Sequence, residues 1–245
     1  MKRGIMRILV VNDDGIQASG IQKLAELVST LGEVWVVAPD NQCSAMSHRI
    51  TVHGDLLVKK EKFPVEGVHA YSVSGTPADC VKVALLHILP EKPDVIFSGI
   101  NSGCNAGIDL VYSGTVGAAM EGILNGIPAI AFSNQDDSSY KVAETYLLEI
   151  TKELLAEKIN ANEIWNVNFP VCPLENVKGI LRDRVPAQTQ FYLDNYEKTE
   201  LEDGCFRLSA MGIPIKEGAD GTDIKAVLEG YISIGKVRNA VKTAD

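Results

Sequence analysis

The apolar residues of the chain fall into two patterns that alternate along the sequence. Short continuous runs, namely "ILVV", "VWVVAP", "DVIFSGI" and "PAIAFS", are typical of strands covered on both faces of a parallel sheet. Between them, apolar residues recur every three or four positions, as in "ADCVKVALLHIL" and "TVGAAMEGIL". This alternation of strands and helices predicts an α/β fold built on a doubly wound, mostly parallel sheet.

Polar and small residues mark where several of these helices begin and end. Ser19 and Gln22 have the spacing of a capping box, and the helical pattern after them continues until Gly32. The dipeptide Thr76-Pro77 predicts another helix start. Near the end of the chain, we expect Thr222 and Asp223 to cap the last helix.

The pattern changes between about residues 182 and 223, which lack long helical periodicity. The β-like pieces "TQFYL" and "CFRLSA" are separated there by polar segments that contain glycine. They are too short to form a stable hairpin alone in water, so their apolar side chains need a surface to pack on. We therefore expect a single domain over residues 1–245, a C-terminal β-rich arm at about 182–223, and assembly into a homodimer or a homotetramer.

Composition limits the classes of partner and compartment. The 245 residues are 46% hydrophobic and 22% charged, enough for one large core, and the net charge of -9 disfavours a nucleic-acid polymer as partner. The five cysteines are odd in number, scattered and without a C-x-x-C pair, which favours a reducing compartment. With no stretch of 18 apolar residues, we expect a cytoplasmic protein with no membrane partner.

Two adjacent carboxylates follow the first strand. Side chains of neighbouring strand residues point to opposite faces, so Asp13 and Asp14 converge only if the chain turns, and Gly15 makes that turn easy. Two such charges about 4 Å apart would repel by roughly 4 kcal/mol at an effective dielectric of ~20, so their convergence requires a cation or a shared proton. Ligands of open α/β sheets bind at the carboxyl ends of strands, which favours the cation.

A second feature points to an anion. Ser113, Gly114 and Thr115 open the "VGAAMEGIL" helix, and a helix start offers free backbone N–H groups and hydroxyls to a phosphate. The glycines of "SGINSGCNAG" match neither the dinucleotide nor the ATP fingerprint. A carboxylate pair for a hard cation, Mg²⁺ or Mn²⁺, together with an anion site, predicts a phosphomonoesterase in which a metal-activated water attacks phosphorus. The D-x-D arrangement of an aspartyl-phosphate mechanism, the rival route, is missing.

Five ordered motifs resemble the SurE family of stationary-phase survival proteins, which act as nucleoside-monophosphate phosphatases. They are "ILVVNDDGI", "APD…S", "SGTPADCV", "SGIN.G.N.G.D..YSGTV.AA.EG" and "VNFP". The resemblance implies a Rossmann-like core and release of phosphate from nucleoside 5′- or 3′-monophosphates, with short polyphosphate as a further substrate. It also implies exchange of C-terminal segments between subunits. The residues "GKV" after "YISI", and the arm before the last helix, match the family's C-terminal pattern poorly.

The same resemblance assigns roles to individual residues. It implies that one divalent cation is held by Asp13, Asp14, Ser44 and Asn101. From the chemistry of a metal-activated water, we expect Asp13 or Asp14 to orient or deprotonate that water, which makes both candidate catalytic residues. It implies a phosphate site made by Asn101, Asn105, Ser113, Gly114 and Thr115. His48, four residues after Ser44, is a candidate for contacting the substrate or protonating the leaving group.

Two other classes of function share some of these features. Signalling receiver modules also carry an acidic pair after their first strand, but Asn101 stands where their acceptor aspartate is expected. A nucleotide-binding protein without catalysis would keep the phosphate loop, and the intact "NDD" disfavours it.

Overall fold

The computed structural model describes residues 5–244, so residues 1–4 and 245 of the expected 1–245 domain lie outside the described residues. Thirteen strands are defined within this range: β1 Met6–Val11, β2 Gly32–Pro39, β3 Val58–Glu61, β4 His69–Val73, β5 Val95–Ser102, β6 Ala129–Asn134, β7 Glu163–Phe169, β8 Ile180–Arg184, β9 Tyr192–Leu193, β10 Tyr196–Glu200, β11 Phe206–Ala210, β12 Ile213–Pro214 and β13 Ile232–Arg238. The α-helices of the same range are α1 Ser19–Val28, α2 Pro77–Val83, α3 Gly114–Leu124, α4 Lys141–Ala156 and α5 Asp223–Leu228.

Nine of these strands form one sheet in the order β3-β4-β2-β1-β5-β6-β7-β13-β8. The central strands from β4 to β7 are parallel, whereas β3 and β13 each pair antiparallel with a neighbour. The expected doubly wound, mostly parallel α/β sheet is therefore confirmed. The strand order reverses direction at β1, which lies between β2 and β5, and ligands of such folds bind at this switch point.

Both faces of the sheet are covered by helices. The larger apolar cluster packs α1 and α4 on one face, and the other cluster packs α2 and α3 on the opposite face. In β1, Ile8 and Val10 belong to the first cluster and Leu9 and Val11 to the second, which explains why the run "ILVV" shows no polar alternation. No helix among residues 5–244 is both long and apolar enough to cross a membrane.

The helix boundaries agree only partly with those expected from sequence. Thr76 caps α2 through a capping box with Asp79, and Thr222 accepts a hydrogen bond from the Lys225 N–H as the cap of α5. The capping box expected at Ser19 is wrong, because Ala18 is the N-cap and α1 begins with a bond from the Ala18 N–H to the Gly15 carbonyl. Gly32 does not end α1; it is the first residue of β2.

The β-rich arm projects from the edge of the sheet. Its first expected residues, 182–184, belong to β8 in the main sheet, and a bridge between Val185 and Thr222 closes the arm at its base. Beyond the base, β9 pairs with β12 and β10 pairs with β11, both antiparallel. Only residues 192 and 193 of "TQFYL" form a strand. The β10–β11 hairpin is exposed along its whole length, as short strands without a core of their own would be.

Candidate active site

The acidic pair lies in a turn that begins where β1 ends. The Asn12 side chain bonds the Gly15 carbonyl at 2.9 Å and accepts from the Gly15 N–H at 3.2 Å, which closes the turn around the two carboxylates. Gly15 has a φ of 99°, which a residue with a Cβ adopts only with strain. The chain therefore leaves strand geometry after β1, and this allows Asp13 and Asp14 to lie together.

Asp13 is buried, with 4% of its surface exposed. Its Oδ1 accepts a hydrogen bond from the Thr115 hydroxyl, and its backbone carbonyl accepts from the Cys43 N–H at 2.7 Å. Burial raises the pKa of Asp13 to about 6, the Thr115 hydrogen bond opposes this rise, and the neighbouring Asp14 charge adds to it. A buried carboxylate held by a hydroxyl, with another carboxylate beside it, is suited to a cation.

Asp14 contacts the last residue of β5. Its Oδ2 accepts a hydrogen bond from the Ser102 N–H at 3.0 Å. Partial burial raises the pKa of this carboxyl, while the bonds from Ser102 and Gln42 lower it. Asp14 thus connects the turn after β1 to the end of the neighbouring strand β5, next to the switch point.

A cavity of about 290 Å³ lies at this edge of the sheet. Asp13, Ser44, Asn101, Asn105 and Ser113 all line it, so the structure brings together five of the residues expected in the site. The Asn101 amide donates to the Gly103 carbonyl at 2.8 Å, which leaves its Oδ1 available to a ligand. Asp14 adjoins the cavity through Ser102, which is one of its lining residues.

The start of α3 packs directly on Asp13. Ser113 is the N-cap and its Oγ accepts from the Val116 N–H at 3.0 Å. A Cβ on Gly114 would lie 2.8 Å from the Asp13 Cβ, so only glycine permits this approach. The Gly114 and Thr115 N–H groups lie in the first turn, where an α-helix provides no acceptor of its own. The Thr115 hydroxyl itself is engaged by Asp13 and is fully buried.

Asn105 is held by a buried group of amides at the carboxyl ends of β6 and β7. Its N–H donates to Asn168 Oδ1 at 2.9 Å, and its side chain contacts Ser133 Oγ at 2.9 Å. Its carbonyl accepts from the amides of Asn166 and Asn168 at 2.9 and 3.0 Å. The asparagines of "NVNFP" therefore fix the loop that lines the cavity, a role that the sequence motif alone did not reveal.

His48 lies beside the site rather than within the cavity lined by Asp13. It lines a second cavity of about 270 Å³, which Ser113 borders as well. Its Nε2 is 2.9 Å from Glu121 Oε2. Glu121 is buried, and burial would raise its pKa, but the hydrogen bond from His48 and the charge of Lys82 lower it. Whether His48 meets the substrate stays a prediction.

Five further residues line the main cavity, and the sequence patterns did not assign them a role. Asp109 and Tyr112 belong to the turn before α3, while Gln190, Tyr192 and Asp194 come from the base of the arm, with Asp109 as their anchor. Asp109 and Tyr112 were part of the "D..YSGTV" motif, which was a usable signal. The arm residues had none, because only the tertiary fold brings residue 192 next to residue 103.

The donor set fits a hard divalent cation. Across residues 5–244, no group of three or more His, Cys, Asp and Glu side chains is arranged to hold a metal. The expected ligands instead combine the carboxylates of Asp13 and Asp14 with the neutral oxygens of Ser44 and Asn101. An all-oxygen set with two charges suits Mg²⁺ or Mn²⁺ and lacks the nitrogen and sulfur donors that zinc prefers.

Comparisons with known proteins agree with this geometry. A family model described as "Survival protein SurE" matches residues 8–191. A 5′-nucleotidase SurE from Clostridium botulinum is 41% identical over 233 residues, covering 94% of this chain and 91% of the relative. Another, from Heliobacterium modesticaldum, is 40% identical and covers 94% and 85%.

The crystal structure of the SurE protein from Aquifex aeolicus matches in fold. Its TM-score is 0.81 at 36% identity, with 97% of this chain and 95% of that chain covered. The family match extends from β1 into the base of the arm and includes each residue proposed above as a ligand or phosphate contact. The chain belongs to the SurE family.

Proposed function

We propose that this nucleotidase is a metal-dependent phosphomonoesterase that releases phosphate from nucleoside 5′- or 3′-monophosphates, and from short polyphosphate, by attack of water. The relatives named 5′-nucleotidase support hydrolysis of a nucleoside monophosphate. The observation that carries the rest is the approach of the α3 start to a buried Asp13, because Asp13 and the helix cap Ser113 line the same cavity and Asp14 adjoins it through Ser102.

Each group of the site has a distinct task in this reaction. Asp13, Asp14, Ser44 and Asn101 hold the cation, which supplies Lewis-acid polarisation of a phosphoryl oxygen and lowers the pKa of water. The N–H groups of Gly114 and Thr115 and the Ser113 hydroxyl bind the remaining phosphoryl oxygens and stabilise charge as it moves to the leaving group. Asn105 fixes the opposite wall.

Proton transfer is assigned to the acidic pair. Asp13 or Asp14 orients the attacking water and accepts its proton as the new P–O bond forms. Because the Thr115 hydroxyl occupies Asp13 Oδ1, Oδ2 is the atom of Asp13 that faces this task. The bond between phosphorus and the nucleoside oxygen breaks, and the leaving oxygen takes up a proton from solvent water, which releases the nucleoside and inorganic phosphate.

We further propose that the protein works as a homodimer or homotetramer in the cytoplasm. The exposed β10–β11 hairpin carries Tyr196, Phe206 and Leu208, each more than half exposed, and a second copy of the chain would cover them. The five cysteines are free, as expected in a reducing compartment.

Phosphate release across a panel of substrates tests the proposal. The panel holds nucleoside 5′- and 3′-monophosphates, tripolyphosphate and a single-stranded DNA oligomer, each assayed with Mg²⁺ and with Mn²⁺. Turnover of the monophosphates without cleavage of internal phosphodiester bonds is expected. Efficient cleavage of the oligomer, or no release from any monophosphate, would contradict it.

A further inference from the structure

Five residues that line the cavity lie outside the proposed cation and phosphate contacts. They are Asp109 and Tyr112 from the turn before α3 and Gln190, Tyr192 and Asp194 from the base of the arm, and together they are called the arm end of the cavity. A phosphomonoester bound at the α3 start has its leaving group on the side away from the phosphate contacts. The arm end is the part of the lining that those contacts leave for the leaving group.

The base of the arm is firmly docked against the site. Asp109 Oδ2 accepts hydrogen bonds from the N–H groups of Phe191 and Tyr192, both at 3.0 Å. The Ile108 N–H donates to the Thr189 carbonyl at 3.0 Å, and the Phe191 side chain is buried in a small apolar cluster with Cys104 and Ile224. These contacts hold the backbone at Phe191 and Tyr192 against the site, independently of the exposed hairpin further along the arm.

Tyr192 extends from the arm to the phosphate end. A Cβ placed on Gly103 would lie 3.5 Å from the Tyr192 hydroxyl and 3.8 Å from Asn101 Nδ2, so these two groups flank Gly103. Burial raises the pKa of Tyr192 to about 12, so its phenol is neutral at physiological pH. The ring thus forms one wall of the cavity between a cation ligand and the polar pair Gln190 and Asp194.

The charges at the arm end favour an uncharged leaving group. Asp109 and Asp194 both line it, and no lysine or arginine does within the described part of the chain. A second phosphate at this position would meet two carboxylates without a compensating cation, so short polyphosphate should be turned over more slowly than a nucleoside monophosphate. Gln190 Nε2 and Asp194 Oδ2 lie 3.5 Å apart and offer donors and acceptors to hydroxyl and ring nitrogen groups. A nucleoside has this chemistry, and its base can stack on a tyrosine ring.

We propose that Tyr192 is the specificity-determining residue for the nucleoside part of the substrate, with Asp109 as the residue that positions it. This inference rests on the proposed nucleotidase function. It assigns binding of the phosphate group and of the nucleoside to separate parts of the chain, the sheet edge and the arm base.

The two products of the reaction test this division separately. For the wild type and for Tyr192→Ala, we would measure KM for the best nucleoside monophosphate, the inhibition constant of the corresponding nucleoside, and that of inorganic phosphate. Loss of the ring should raise KM and the inhibition constant of the nucleoside about tenfold, because the base loses its stacking partner. The inhibition constant of inorganic phosphate should change less than about twofold. Tyr192→Phe keeps the ring and should leave all three constants near wild type.

Tyr231→Ala is the matched control, since it removes a half-buried tyrosine that lies outside the arm and does not line the cavity. Circular dichroism and light scattering identify any variant that is misfolded or altered in assembly. If Tyr192→Ala is such a variant, Tyr192→Leu replaces it, because leucine keeps an apolar side chain but removes the ring. The inhibition constant of the nucleoside for Tyr192→Leu is then compared with the values for wild type and Tyr192→Phe. Equal changes in the inhibition constants of the nucleoside and of phosphate, or no change in either, would overturn the role of Tyr192. Phosphate release by the wild type would still uphold the nucleotidase function in that case. A wild type that hydrolyses no nucleotide would overturn both.

Discussion

Gly114→Ala is a small change with a large expected effect, because it tests whether the α3 start must touch Asp13. The added Cβ would lie 2.8 Å from the Asp13 Cβ and 2.9 Å from its Oδ2. Carbon atoms in contact lie at about 3.5–4.0 Å, so Asp13 or the helix must move by about 0.7 Å or more. The Asp13 Cβ is fixed to a buried backbone and cannot swing away as a flexible chain end would.

Two opposing terms set the stability of this variant. Alanine is favoured over glycine in a helix by up to about 1 kcal/mol, whereas overpacking a buried site costs about 1–3 kcal/mol. We expect a net loss of about 1 kcal/mol in the free energy of unfolding, measured by urea denaturation. Since a misplacement of about 1 Å at a catalytic group can reduce the rate 100-fold, kcat/KM for a nucleoside monophosphate should fall by about that factor.

Gly122→Ala on the same helix is the matched control. Its added Cβ would lie 2.8 Å from Ile96 Cδ1, the far end of a side chain that can shift, and the next contact is at 3.6 Å. Gly122 is remote from the cavity, so kcat/KM should stay within about twofold of wild type. A Gly114→Ala protein with full activity and greater stability would refute the claimed contact between the helix start and Asp13.

Three other predictions follow from buried contacts and from the arm. Asn168→Ala leaves the Asn105 N–H and carbonyl without two of their partners, so unfolding should be easier by about 1–3 kcal/mol in urea titrations and turnover should fall. Burial alone would raise the pKa of Asp79, but hydrogen bonds from Thr51 and Thr76 outweigh it and lower the pKa. The stability lost in Asp79→Asn should therefore be greatest above pH 4 and should disappear as the pH falls below 3.8. A constant difference across pH would contradict this. Light scattering at micromolar concentration should give at least twice 26.5 kDa, and an active monomer would exclude the proposed assembly.

The fold was predictable because its signals are local. The run "ILVV" and the helical spacing of "VGAAMEGIL" depend only on neighbouring residues, and both elements are confirmed. The cap of α1 was misassigned for a similar reason: Ser19 and Gln22 satisfy the local rule, but the turn held by Asn12 starts the helix one residue earlier.

The candidate site was predictable only where its residues follow a strand or begin a helix. Asp13 and Ser113 have such positions, and the cavity contains both. Tyr192 acts through contacts with residues more than 60 positions away, and no local pattern marks it. Asn168 belongs to the "VNFP" motif, but its role depends on a contact with Asn105 that the motif does not show. Residues that hold or complete a site from distant segments become visible only when the chain is folded.

The most direct test of the central claim is the recovery of activity when metal is returned to chelated protein. Wild-type protein stripped with EDTA and dialysed should release no phosphate from a nucleoside monophosphate, and added Mg²⁺ or Mn²⁺ should restore release in step with binding of one ion measured by calorimetry. Asp13→Asn should lose ion affinity and turnover together. Full activity in excess chelator on repeatedly purified protein would contradict the account.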